Sequence, residues 1–422
     1  MKKLLVWLLA VLASLSLAGS RVWADDEPKQ DPSYQDTPAA ISQSDIEALN
    51  NRISTLEKST GSALKVGGWL QLWYTHDSYG TTTVGSSDDY SSSKNQWDAF
   101  SVKRAEISLT GNVAADPKLF FKLSIDPAQA SFNGLGGTTG TALSYEGTAA
   151  TTTNVNPFTL VKDLYSQATY SPYFAFIVGQ NKLWNELEGR TPSNVLDFNN
   201  YSNIGGNAFG NKRDLGIAFT GSGIPLGPVQ GEYYLAVIQG SGQSTADNNV
   251  DKDITGRIDF SLDNNLLVGA SAYDGWEPNG VRQYFGLESR WVSGGFKAQA
   301  EFLTGSLNTL DNNSSNDSAW TPSIGLTPKG YTTPAGQITP TGYYLQASYR
   351  LGDLRFGARW DGYNFNQQSG TGGGNQEWDT YTLGLDWFQA KDAYKLTLNW
   401  EDHLLSGVDE YNVWTVQSQI SI

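Results

Sequence analysis

The ionisable residues of this 422-residue chain fall into spaced rows rather than compact clusters. Arg355, Arg359 and Asp361 share the parity of one short segment, Lys395 and Glu401 that of another, and Lys122 and Asp126 that of a third. Residues two apart on an extended chain point the same way, so each row is one face of a strand. Rings of such charges select ions, and a confined charged cleft concentrates counter-ions. Catalysis has thinner support. A nucleophile needs a base, and the chain offers only His76 and His403, neither in a recognisable motif. The absence of cysteine excludes disulfides, thiol chemistry, Cys-ligated metal and c-type haem. Asp247, Asn249, Asp251 and Asp253 alternate like the start of a calcium loop, but Lys252 and Ile258 stand where such a loop needs Gly and Glu. Selection is the expected chemistry, with no reaction, cofactor or metal.

Strands must carry these rows. From Leu64 onward sixteen segments alternate apolar and polar residues, most cleanly in the last five. Tyr343, Leu345, Ala347, Tyr349 and Leu351 take one parity, as do Leu354, Phe356, Ala358 and Trp360, then Tyr381, Leu383, Leu385 and Trp387. One greasy and one charged face at period two is a half-buried strand, and its repetition is the pattern of a transmembrane β-barrel. The second segment changes phase at Lys103 and Arg104, which predicts a β-bulge. Lys162 is the exception on the outward parity, expected near the external end of its strand, where lipid exposure costs about 0–1 kcal/mol. Connections alternate long and short, the long ones at about 75–97, 127–158, 182–212, 240–252, 274–280, 305–342, 364–377 and 402–410. Outer-membrane barrels sort their loops this way. The expected fold is therefore all-β: a sixteen-stranded antiparallel transmembrane β-barrel over 64–422, preceded by a short N-terminal coiled-coil helix.

A barrel of that size encloses an aqueous channel. The pore-lining charges expected from inward parity include Lys122, Arg257, Arg290, Lys297, Arg355, Arg359, Lys395, Asp163, Asp361 and Glu301, in a wall whose two signs nearly balance. The third long connection carries Trp184, Glu186, Glu188, Arg190, Asp197 and Phe198. It is expected to fold into the lumen as a constriction, setting its charges opposite the wall. Upstream, Lys2 and Lys3 precede an apolar run from Leu4 to Leu17, and Val22 and Ala24 are small residues at a cleavage site, so 1–24 reads as a signal peptide. Residues 25–43 read as a flexible linker. Within 44–60, Ile46, Leu49, Ile53 and Leu56 have the spacing of a short coiled coil. The formal charge of −15 falls to about −18 when Lys2, Lys3 and Arg21 leave with the signal peptide. That acidity argues against nucleic acid as a partner.

The stretch Phe100–Gly111 (FSVKRAEISLTG), then Phe120–Leu123 (FFKL), Val178–Lys182 (VGQNK) and Lys212–Ile217 (KRDLGI) together resemble the phosphate-selective porin O and P family. The resemblance implies a homotrimeric porin in the outer membrane of a Gram-negative bacterium, in contact with lipid and lipopolysaccharide. Small hydrophilic solutes would cross it by passive diffusion. Phosphate selectivity in that family goes with an arginine ladder and constriction lysines. Here Arg257, Arg355 and Arg359 are diluted by acids, and Ile422 stands where such barrels end in an aromatic. Phosphate or other anion selectivity is one alternative. The other is a barrel that sheathes a partner such as an electron-transfer cytochrome, which would need a smooth lumen without an infolded loop.

Overall fold

The computed structural model describes residues 64–79, 96–115, 117–128, 160–205, 212–245, 247, 249–263, 265–277, 280–308, 337–364, 377–405 and 408–422. The expected signal peptide, linker and coiled-coil helix lie outside the described residues. Alternation becomes strand throughout: β1 (Leu64–Tyr79), β2 (Gln96–Ala115), β3 (Lys118–Ile125), β4 (Val161–Ser171), β5 (Phe174–Lys182), β6 (Arg213–Leu226), β7 (Val229–Ile238), β8 (Asp253–Leu262), β9 (Leu266–Glu277). There follow β10 (Gly280–Ser293), β11 (Phe296–Asn308), β12 (Gln337–Ile338), β13 (Thr341–Leu351), β14 (Leu354–Asn364), β15 (Glu377–Gln389), β16 (Tyr394–Leu405) and β17 (Val408–Ser421). β12 is a two-residue ladder on the end of β11; the other sixteen form the wall.

Each long strand pairs antiparallel with its neighbours, and β1 pairs with β17 from Trp69 opposite Ser421 to Tyr79 opposite Tyr411. That seam closes the sheet and removes the edges a membrane would not tolerate. Ile422 finishes it: its amide donates to the Gly68 carbonyl at 2.9 Å, and its carbonyl accepts from the Gly68 amide at 3.2 Å. Both bonds are between backbone groups, so the seam at this point does not depend on the Ile422 side chain. Apolar residues such as Leu345, Phe356 and Leu383 face outward and exposed, while Arg359, Asp361 and Asp386 point inward. Tight turns at the other end use positive φ at Gly294 (58°) and Gly352 (60°), where a side chain would be strained.

The bulge at Lys103 is present. Gln71 faces Arg104 and Leu72 faces Val102, which leaves Lys103 as the extra residue. Its Nζ lies 4.3 Å from the ring centroid of inward-facing Trp73. The expectation for Lys162 is corrected by a second bulge. Ser124 faces Asp163 and Ile125 faces Val161, so Lys162 is the unpaired residue and turns into the lumen, its Nζ 2.6 Å from Glu106. Two of the expected long connections are also shorter than the sequence implied. The ladders continue through Glu277 opposite Gly280 and Leu405 opposite Val408, because pairing persists beyond the stretch of regular alternation.

Candidate solute passage

The described part of the connection between β5 and β6, residues 183–205, runs inside the barrel, with a helical turn at Leu187–Arg190 and a 3-10 turn at Ser193–Val195. An apolar floor seats it. Ile177, Ala218, Tyr234, Ala236 and Ile238 point inward and form one buried cluster with Leu183, Ile204, Leu303 and Tyr344, and Trp184 stacks on Tyr234 at 5.2 Å. On β5–β7 the inward parity is apolar because the loop covers it. Phe198 fits against Gly357 and Gly384, opposite each other on β14 and β15, where added Cβ atoms would come within 3.0 Å of its ring. The Arg359 guanidinium covers the Phe198 ring at 5.0 Å.

Polar anchors then run round the wall from β7 to β1. Arg190 meets Glu232 at 2.9 Å, and Thr255 donates to Asn185 at 2.7 Å. The Glu188 amide donates to Glu301 at 2.5 Å, and the Asn203 amide to Asp361 at 3.1 Å. Asp197 sits between Lys297 and Arg355, each at 2.7 Å, with Arg355 also bonded to Asp386 at 2.5 Å. The Leu196 carbonyl accepts from Arg355 at 2.9 Å and Lys395 at 3.3 Å; that of Asn200 accepts from Arg359 at 3.0 Å. Gln419 of β17 and Gln71 of β1 donate to the carbonyls of Asn194 (2.9 Å) and Ser193 (3.4 Å). Glu186, Glu188 and Asp197 are consequently only 1%, 2% and 6% exposed. The acids expected to face the wall across the passage are instead pressed into it.

Among the described residues, no hydrogen bond or ion pair ties the loop to β2–β4. There Lys103 is exposed, and the side chains of Lys122 and Arg104 are 27% and 15% exposed. Their acidic neighbours are sealed: Glu106, Asp126 and Asp163 are 3%, 0% and 3% exposed. Asp163 is held by Lys122 and Arg213, each at 2.8 Å. On the loop, Thr191, Pro192, Val195 and Tyr201 are neutral and not buried; Tyr201 donates to the Thr191 carbonyl at 2.7 Å, and Lys182 of β5 bonds both at 2.8 and 3.0 Å. Of the expected pore-lining set only Lys122 and Asp163 belong to this arc. Arg355, Arg359, Lys297, Lys395, Asp361 and Glu301 hold the loop, and Arg257 is occupied with Glu288 and Asp259. Arg290 is half-buried within the field of Arg190, with no ion pair among the described residues. The calcium-like row disperses, since Asp253 bonds Arg282 at 3.0 Å and Asp247 bonds Lys252 at 2.6 Å. His403 lies between Glu401 (3.3 Å) and Thr380 (3.1 Å).

Solved structures with this architecture are outer-membrane proteins. The outer membrane channel DcaP of Acinetobacter baumannii aligns over 86% of this chain and 97% of its own, with a TM-score of 0.56 at 12% identity. A solved porin aligns over 85% and 100%, at 0.50 and 12%. The fold is that of a porin. OmpT of Vibrio cholerae, in a trimer form, aligns over 85% and 99%, at 0.50 and 8%. No protein-family model and no curated protein matches the sequence. The likeness thus reaches the porin fold and does not single out the phosphate-selective O and P group.

Proposed function

We propose that the chain is an outer-membrane porin through which small hydrophilic solutes diffuse passively, with a preference for anions. One observation carries the preference: on the β2–β4 arc the bases reach the lumen while the acids beside them are sealed. A confined one-signed surface enriches the opposite ion and weakens with salt. The phosphate-selective variant of this reading has less support, because Arg355 and Arg359 spend their donors on the loop. The sheath reading loses ground to the same loop, which fills the space a partner protein would need. We read no reaction into the site: the hydroxyl and carboxylate that His403 touches, Thr380 and Glu401, are buried with it in the wall, and His76 sits in no recognisable motif. By analogy with the porin fold, the working form is a homotrimer in the outer membrane of a Gram-negative bacterium, bordered by lipid and lipopolysaccharide and delivered there by the expected cleaved signal peptide.

Reversal potential across a planar bilayer under a KCl gradient tests this. The expected result is conductance in steps with an anion-selective sign, reduced at high salt. A cation-selective sign removes the anion preference, and no conductance at any voltage removes the porin reading.

A further inference from the structure

Glu186 is the one loop carboxylate that the wall does not answer. It is 1% exposed, and neither side-chain oxygen has a hydrogen-bond partner. The charged groups facing it come from every side. Glu188 is on the same loop, Glu288 on β10, Glu301 on β11, and against these three acids stands the base Lys212 at the entry to β6. Tyr284 of β10 packs against the same cluster. The arginines that pair with its acidic neighbours are committed there: Arg257 to Glu288 and Asp259, Arg359 to Asp361 at 2.9 Å and more loosely to Glu188 at 3.6 Å. Four carboxylates therefore crowd a dry contact with too little positive charge.

Resting on the porin reading for its consequence, we propose that Glu186 is a proton-binding site that docks the constriction loop on the β10–β11 wall. A lone ionised carboxylate buried without a partner takes up a proton instead. Burial, then the like charges of Glu301 and Glu288, push the Glu186 carboxyl well above the ordinary carboxylate range. The sign follows. The docked loop keeps a proton that a free loop releases, so docking is strongest at and below the ordinary range and is lost as pH rises through the raised value. The loop segment carrying Thr191 and Tyr201 borders the passage, so its release widens the passage.

The test uses the full-length protein and two readouts. The Glu188 amide, which donates to Glu301, reports docking directly by hydrogen exchange between about pH 5 and about pH 9. After correction for intrinsic exchange, its protection is expected to fall by up to about tenfold per pH unit, the slope of one proton. Glu186→Gln, neutral and of the same shape, should hold protection flat. Channel conductance should rise with pH in the parent and stay level in Glu186→Gln. It should also stay level in oxidised Asn185→Cys/Thr255→Cys, which ties loop to wall with Glu186 intact. Protection that rises with pH overturns the proposal, as does a Glu186→Gln profile matching the parent. So does calcium at high pH restoring protection in the parent, which would make the site a cation dock. pH-dependent protection without any conductance would uphold the dock and remove the porin reading, so the two failures are distinguishable.

Discussion

Two arcs of one barrel treat their charges in opposite ways. On β13–β16 the bases face acids across the loop, and Arg355, Arg359 and Lys395 disappear into contacts with Asp197, Leu196 and Asn200. On β2–β4 the acids disappear into the wall, and Lys103, Arg104 and Lys122 keep water. The inward charge of the whole barrel is nearly balanced, yet the surface a solute meets is not. Selectivity is a property of exposed tips, so the loop sets it by choosing which arc to cover.

The sharpest way to break this contrast is to lift the loop. Gly357→Leu with Gly384→Leu places side chains where Phe198 now sits 3.0 Å from the position of either Cβ. Overpacking costs about 1–3 kcal/mol per site, enough to compete with the anchors. The expected outcome is a several-fold rise in single-channel conductance with loss of ion preference, as the covered arc's charges reach water. Unchanged conductance would mean that this loop is not the constriction.

Charge substitution sharpens the contrast without moving the loop. Lys103→Glu exchanges an exposed base, extra in its bulge, for an acid. The reversal potential should shift towards cations and change sign when combined with Lys122→Gln. Asp361→Asn on the covered arc, sealed at 1% exposure, should leave it unmoved. Equal shifts from the two arcs would erase the distinction between them.

A smaller effect is expected from Arg355→Met, which removes one of two cations from Asp197. Breaking a buried pair costs about 3–5 kcal/mol. Lys297 still holds Asp197 at 2.7 Å, but buried Asp386 loses its arginine, so about 3 kcal/mol, the low end of that range, is the expected loss, read as a lower urea midpoint for unfolding from lipid vesicles. Arg355→Lys should recover part of it; no loss would mean that the anchor at Asp197 adds nothing to Phe198.

Much of this was legible in the sequence. Strict period two placed the strands, and loop lengths placed the turns, because parity and hairpin geometry are local. The bulge at Lys103 showed as a change of phase. The one at Lys162 did not, since a single lysine near a strand end fits an outward reading as well. The fate of Glu186, Glu188 and Asp197 was hidden for a different reason. It depends on Phe198 meeting Gly357 and Gly384, residues far apart in sequence whose register is set by the closed sheet. One signal was available: Ile177, Ala218, Tyr234, Ala236 and Ile238 are apolar on the inward parity of three neighbouring strands. A wet wall does not look like that, and an apolar inward face implies a cover.

The smallest expected effect lies outside both arcs, where charge serves neither loop nor passage. Asp392, in the turn between β15 and β16, takes both nitrogens of the Arg350 fork at 2.7 and 2.8 Å, with the two side chains 50% and 39% exposed. Those bonds hold the Asp392 carboxyl below its ordinary value. The pair's contribution is therefore present above the ordinary carboxylate range and lost as pH falls through the lowered one. Solvent screens it, so Asp392→Asn should cost no more than about 1 kcal/mol at neutral pH. The difference from the parent in urea midpoint should vanish in acid and in high salt. Conductance and reversal potential should not change. A shifted reversal potential would bring this rim charge into the field a solute meets, and the passage would then be governed from its mouth as well as from β2–β4.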